Sequence, residues 1–159
     1  MKKGSIRYYT TSVPVEQSMQ EVASLLREYG AQRFEQVWDD ETGDTVAVRF
    51  NLPVPEAQFG FMPVVLRPRV CALARALQQR HGVDDREQVQ RVAWRQLKGI
   101  LEGILMAADT GMFSTAQVLL GMAETPSGEA LWDLMRERET LALPAPEDRV
   151  FEAEVEVVE

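Results

Sequence analysis

The chain has 159 residues, 45% hydrophobic and 26% charged, with 17 basic and 25 acidic side chains for a net charge of −8. A length near 150 residues implies one domain able to bury about two-thirds of its unfolded surface, so neither disulfides nor a metal is needed for folding. The single cysteine, Cys71, and the single histidine, His81, exclude an internal disulfide, a thiolate zinc site and any two-histidine metal site.

In chain order, Ile6, Tyr8 and Thr10 alternate with Arg7, Tyr9 and Thr11, which predicts a half-buried strand. Pro14 opens a helix whose stripe is Val15, Met19, Val22, Leu26 and Tyr29, closed by Gly30. Phe34 to Trp38 reads as extended, Asp39 to Asp44 as a polar turn, and Val46, Val48 and Phe50 as the second arm of a hairpin. Leu52 to Pro63 reads as a loop, followed by the short apolar run Val64 to Leu66. Val70, Leu73, Ala74 and Leu77 predict a helix stopped by Gly82. Asp84 or Asp85 then caps the longest element, a helix over residues 85–109 whose core face is Val89, Ala93, Leu97, Ile100, Ile104 and Ala108. Gly111 ends it. Ser114 caps a helix running through Met122, and Thr125 with Pro126 starts another that buries Leu131, Leu134 and Met135. Leu143 to Pro146 is a linker, and Phe151, Ala153, Val155 and Val157 alternate with glutamates as a strand.

Strands early and helices late predict an α+β fold: a small antiparallel sheet, β-α-β-β with the C-terminal strand as a further member, packed on a C-terminal helical layer. Residues 1–140 form the expected domain, and residues 141–159 an appended linker and acidic strand. No apolar core follows Lys2 and Lys3, and no run reaches about 18 apolar residues, so a cytoplasmic protein without a signal peptide or membrane span is expected.

The charge is uneven: residues 1–66 carry −3, residues 67–98 carry +5 and residues 99–159 carry −10. Arg91, Arg95 and Lys98 share one face of the long helix. The favoured reading is a solvated face balanced by acidic groups of the C-terminal region. The alternative is a set of phosphate contacts for nucleic acid, which a net charge of −8 and the lack of any recognition motif oppose. Tyr8 and Tyr9 beside Lys2, Lys3 and Arg7 suggest a base-stacking platform, although adjacent positions of a strand point to opposite faces and one of the two belongs to a core.

Gly99, Gly103 and Ala107 repeat at four-residue spacing, which suits close helix–helix approach within the fold or across a dimer. Glu152, Glu154 and Glu156 share one side of the terminal strand. They either protect an edge from aggregation or meet a basic partner. The acidic turn at residues 39–44 lacks the ligand spacing of a calcium loop and reads as a solvated hairpin turn. His81 reads as a cation at a helix C-terminus, and Cys71 as a small packed residue. There is no GxSxG, HExxH, P-loop or GxGxxG, so no catalytic, cofactor-binding or metal-binding residue is assigned.

Two segments, Tyr9-Thr10-Thr11-Ser12-Val13-Pro14-Val15-Glu16 through Tyr29-Gly30-Ala31 and Arg91-Val92-Ala93-Trp94-Arg95-Gln96-Leu97-Lys98 through Val118-Leu119-Leu120, together resemble small α+β proteins of phages, prophages and other mobile elements. The resemblance spans roughly residues 8–135 and implies a mobile-element context without implying a reaction. The resulting expectation is a non-enzymatic accessory protein that works by protein–protein contact, including self-association. The alternatives are a nucleic-acid binder using the basic segment and an enzyme with an unrecognised site.

Overall fold

The computed structural model describes residues 4–138. Helix α1 (Val15–Glu28) leads into strands β1 (Gln32–Trp38), β2 (Thr45–Pro53) and β3 (Phe61–Leu66), then helices α2 (Val70–His81), α3 (Arg86–Asp109), α4 (Thr115–Leu119) and α5 (Leu131–Glu137). A short 3-10 turn at Leu120–Met122 separates α4 from α5. The sheet is antiparallel in the order β1-β2-β3, and the fold is α+β.

Local signals account for most boundaries. Gly30 has φ +78° and sits just past α1, where the amides of Gly30 and Ala31 donate to the carbonyls of Arg27 and Leu26, a Schellman closure. Asp85 caps α3 by accepting from the Gln88 amide at 2.9 Å, and Ser114 and Gln117 form a reciprocal capping box on α4.

One core fills the space between sheet and helices. Met19, Val22 and Leu26 of α1 join Val48, Phe50 and Leu52 of β2, Met62, Val64 and Leu66 of β3, and Trp94, Leu101 and Leu105 of α3. A smaller cluster joins Ile6 to Leu77 of α2 and Val89 and Val92 of α3.

Five expectations are corrected. Residues 6–10 form a turn in place of a strand: Tyr8 takes the left-handed φ of +66°, and the Thr11 amide closes on the Tyr8 carbonyl at 2.9 Å. The sheet therefore lacks the N-terminal strand, because Ile6 and Tyr9 are drawn together onto α2 and α3. The expected loop from Leu52 to Pro63 is mostly hairpin, with Asn51 opposite Pro63 and Pro53 opposite Phe61. Pro63 is tolerated there because its carbonyl points outward to the Glu124 amide, so its missing N–H lies on the side away from β2. In the second half of α3, Leu101 and Leu105 face the core with Trp94, whereas Ile100 is exposed. Cys71 is exposed instead of packed. The helix expected from Thr125 and Pro126 begins only at Leu131, after a turn in which the Thr125 amide donates to the Glu129 carbonyl, and none of its residues is fully buried. The linker and acidic strand expected after residue 141, with Glu152, Glu154 and Glu156, lie outside the described residues.

Candidate interaction surface

The long helix α3 carries both sets of residues singled out from the sequence on the described part of the chain. Along its basic side, each cation already has a carboxylate. Arg91 pairs with Glu87 one turn before it, Arg95 Nη1 lies 2.6 Å from Glu21 Oε2 of α1, and Lys98 Nζ lies 2.8 Å from Glu102 Oε2. The Arg95 guanidinium holds the Glu21 carboxyl below its ordinary value, against the partial burial that raises it, and the Gln17 amide adds to the lowering. The balancing charge thus comes from α1 and from α3 itself. Glu21, Lys98 and Glu102 line a shallow groove between the two helices, and none of these three α3 cations is left without a carboxylate.

The small-residue stripe divides in two. A Cβ at Gly99 would stand 3.5 Å from the Tyr8 hydroxyl, so this glycine is covered by the N-terminal turn and not by another helix. Around Gly103 a Cβ would meet nothing within 4 Å. Its neighbours on the same side, opposite Trp94, Leu101 and Leu105, are Ile100, Met106 and Ala107. Ile100 is 53% exposed and Met106 58%. Past the end of the helix the chain turns back, with the Met112 and Phe113 amides both donating to the Ala107 carbonyl at 3.0 and 3.3 Å. Met112, 70% exposed, and the half-exposed Phe113 thereby extend the apolar surface beyond Ala107. A solvent-facing helix side is ordinarily polar, and this one has no charge from residue 99 to 101 or from 103 to 108.

Comparison with protein-family models, curated proteins and solved structures found no match to this chain.

Two features escaped the sequence reading. The first is a cleft of about 690 Å³ between the start of α1, the β1–β2 turn and the start of α3. Exposed Trp38 stands on one wall, and Pro14, Val15 and Met19 on another. Its polar groups satisfy one another: Arg86 pairs with Asp44, and Gln90 bridges Asp44 and the Trp94 indole at 3.2 Å each. No periodicity signals such a cleft, because it is assembled from three separate elements.

The second is His81. Its Nε2 accepts the Ile6 amide at 3.1 Å and its ring stacks on Tyr9 with centroids 3.8 Å apart. The imidazole is therefore a neutral acceptor for the N-terminal segment and not a cation on its own helix end. The acidic turn behaves as expected from sequence: Asp39 accepts from the amides of Glu41 and Thr42, contacts that hold its carboxyl below the ordinary range. Among the described residues no three metal-ligating side chains converge, and no helix is long and apolar enough to cross a membrane.

Proposed function

We propose that this protein acts by protein–protein contact, pairing with a second copy of itself through the outward side of the C-terminal half of α3. The observation that carries this reading is the uncharged, uncovered surface of Ile100, Gly103, Met106 and Ala107, continued by Met112 and Phe113. The surface suits itself. An antiparallel two-fold pairing centred on Gly103 sets the two glycines together and places Ile100 of each copy beside the partner's Met106. Small residues at the centre permit close backbone approach, and the flanking side chains supply buried apolar area.

The role is that of a non-enzymatic accessory factor. The mobile-element setting is the expectation carried by the sequence resemblance alone, and no matched family or structure adds to it. The nucleic-acid alternative has weaker support, since phosphate binding at Arg91, Arg95 or Lys98 requires breaking an existing ion pair in each case.

Light scattering across micromolar concentrations tests the proposal. The wild-type chain is expected at twice its monomer mass, and Met106→Glu, which puts a charge in the centre of the contact, is expected at monomer mass with an unchanged circular dichroism spectrum. A wild-type chain that stays monomeric throughout overturns the reading.

A further inference from the structure

Residues 4–13 are an irregular strap laid across α2 and α3, and side chains of those helices hold its backbone. Arg80 Nη1 donates to the Gly4 carbonyl at 3.3 Å and Gln96 Nε2 to the Arg7 carbonyl at 2.9 Å. Gln88 Nε2 donates to the carbonyls of Tyr9 and Thr11 at 3.0 and 2.9 Å. All these contacts use a donor on the helix and a carbonyl on the strap. None of the donors loses its proton in the neutral or mildly acidic range.

The Ile6 amide is the exception, because it donates to His81 Nε2. An imidazole that gains a proton has an N–H at both nitrogens and accepts from neither. The same ring carries the stack with Tyr9, so protonation removes the hydrogen bond that fixes the Ile6 backbone and leaves the ring contact as the remaining hold of His81 on the strap. The charged groups around His81 do not offset the added charge. Arg80, beside it on α2, is itself a cation and is held by Gly4. In the turn to α3, Asp84 is exposed and makes no ion pair with His81, Asp85 caps Gln88, and Glu87 on α3 is paired with Arg91. On the strap, Arg7 lies over the Tyr8 ring at 4.9 Å. No carboxylate pairs with His81 among the described residues. The strap is also strained at Tyr8, a non-glycine residue at φ +66°.

What the strap covers gives its release a consequence. Tyr8 lies over Gly99, the first member of the stripe that continues as Gly103 and Ala107. Ile6 closes the small cluster of Leu77, Val89 and Val92. With the strap detached, the uncovered side of α3 lengthens by a full turn toward its N-terminus.

We propose that residues 4–13 form a pH-sensitive latch in which neutral His81 holds the strap over Gly99, and protonated His81 releases it and lengthens the self-association surface. The coupling to association rests on the reading above, while the latch itself does not.

The test follows strap motion and mass separately. Heteronuclear NOEs of residues 5–11 are recorded at about pH 8 and about pH 5.5, on either side of the range in which imidazoles exchange a proton. Light scattering is measured on the same samples. The wild-type strap is expected to be ordered at the higher pH and mobile at the lower. His81→Gln keeps an acceptor oxygen without the titration, and its strap should remain ordered at both. His81→Lys, a permanent cation with no acceptor, should leave the strap mobile at both. Association should tighten several-fold wherever the strap is mobile. The pH drop also reduces the overall negative charge, but it does so equally in the Gln variant, which isolates the histidine.

A wild-type strap equally ordered at both pH values, or a Gln variant that loosens as the wild type does, overturns the latch. A strap that responds as expected while a dimer keeps the same affinity overturns the coupling to Gly99. A chain monomeric at every pH overturns the self-association reading and leaves the latch standing.

Discussion

Glu21 and Arg95 show how one contact joins two elements and sets a pH response. They tie α1 to α3 at 2.6 Å beside a groove, with about a third of the Glu21 side chain still exposed. Because the Arg95 guanidinium lowers the Glu21 carboxyl below its ordinary value of 4.5, the native state favours the charged form. Its contribution is therefore complete above the unfolded-state value and fades as the pH falls through the lower native-state value. Solvent exposure keeps the contribution small, about 0.5–1 kcal/mol at neutral pH. Urea denaturation should find Glu21→Gln less stable than the wild type by about this amount near neutrality. The difference should shrink to nothing in strong acid, where the wild-type carboxyl is also neutral. An undiminished difference in acid would mean that glutamine perturbs packing and that the ion pair is not the cause.

At the scale of elements, legibility depended on whether the signal was local. Capping by Asp85 and Ser114, the glycines after α1 and α2, and the stripe of α1 are written in neighbouring residues, and the structure uses them as read. The turn at residues 6–10 was misread because its alternation is only a few residues long and Tyr9 is captured by His81, far away in the chain. The core face of α3 was legible at Val89 and Ala93, which are buried, and at Leu97 and Ile104, which pack against the core beside Trp94, Leu101 and Leu105, but Ile100 belongs to a second apolar side and is exposed. The surplus apolar side that results is the candidate surface itself. Gly103 lies at its centre with open space around it, so its lack of a side chain serves no contact within the described monomer. Gly103→Ala should therefore raise monomer stability by up to about 1 kcal/mol through helix propensity. Measured by thermal melting in the Met106→Glu background, where pairing is suppressed, a loss of stability would reveal an intramolecular use of that glycine.

Across the whole molecule, the question is which forces a negatively charged chain can use to meet a partner. Within the basic segment of residues 67–98 the α3 cations are neutralised by Glu21, Glu87 and Glu102, and Arg86 by Asp44, whereas Arg67, Arg69, Arg75 and Arg80 are exposed with no carboxylate partner among the described residues. Long-range steering remains that of a chain with net charge −8, which repels phosphates and other copies alike. Association through the uncharged side of α3 works against that repulsion by apolar burial. Screening by salt then leaves pairing intact or strengthens it. Binding of nucleic acid through Arg91, Arg95 and Lys98 has the opposite signature. Three phosphate contacts imply a log–log salt slope of about −2.7, and hence a loss of roughly 500-fold for each tenfold rise in salt. Sedimentation of the chain alone, and with a short duplex, from about 0.05 to about 0.5 M salt separates the two regimes. The expected result is a dimer whose affinity holds or rises with salt, with no duplex bound at the upper end. A dimer that dissociates as salt is added would place its contacts on ion pairs and away from Ile100, Gly103 and Met106.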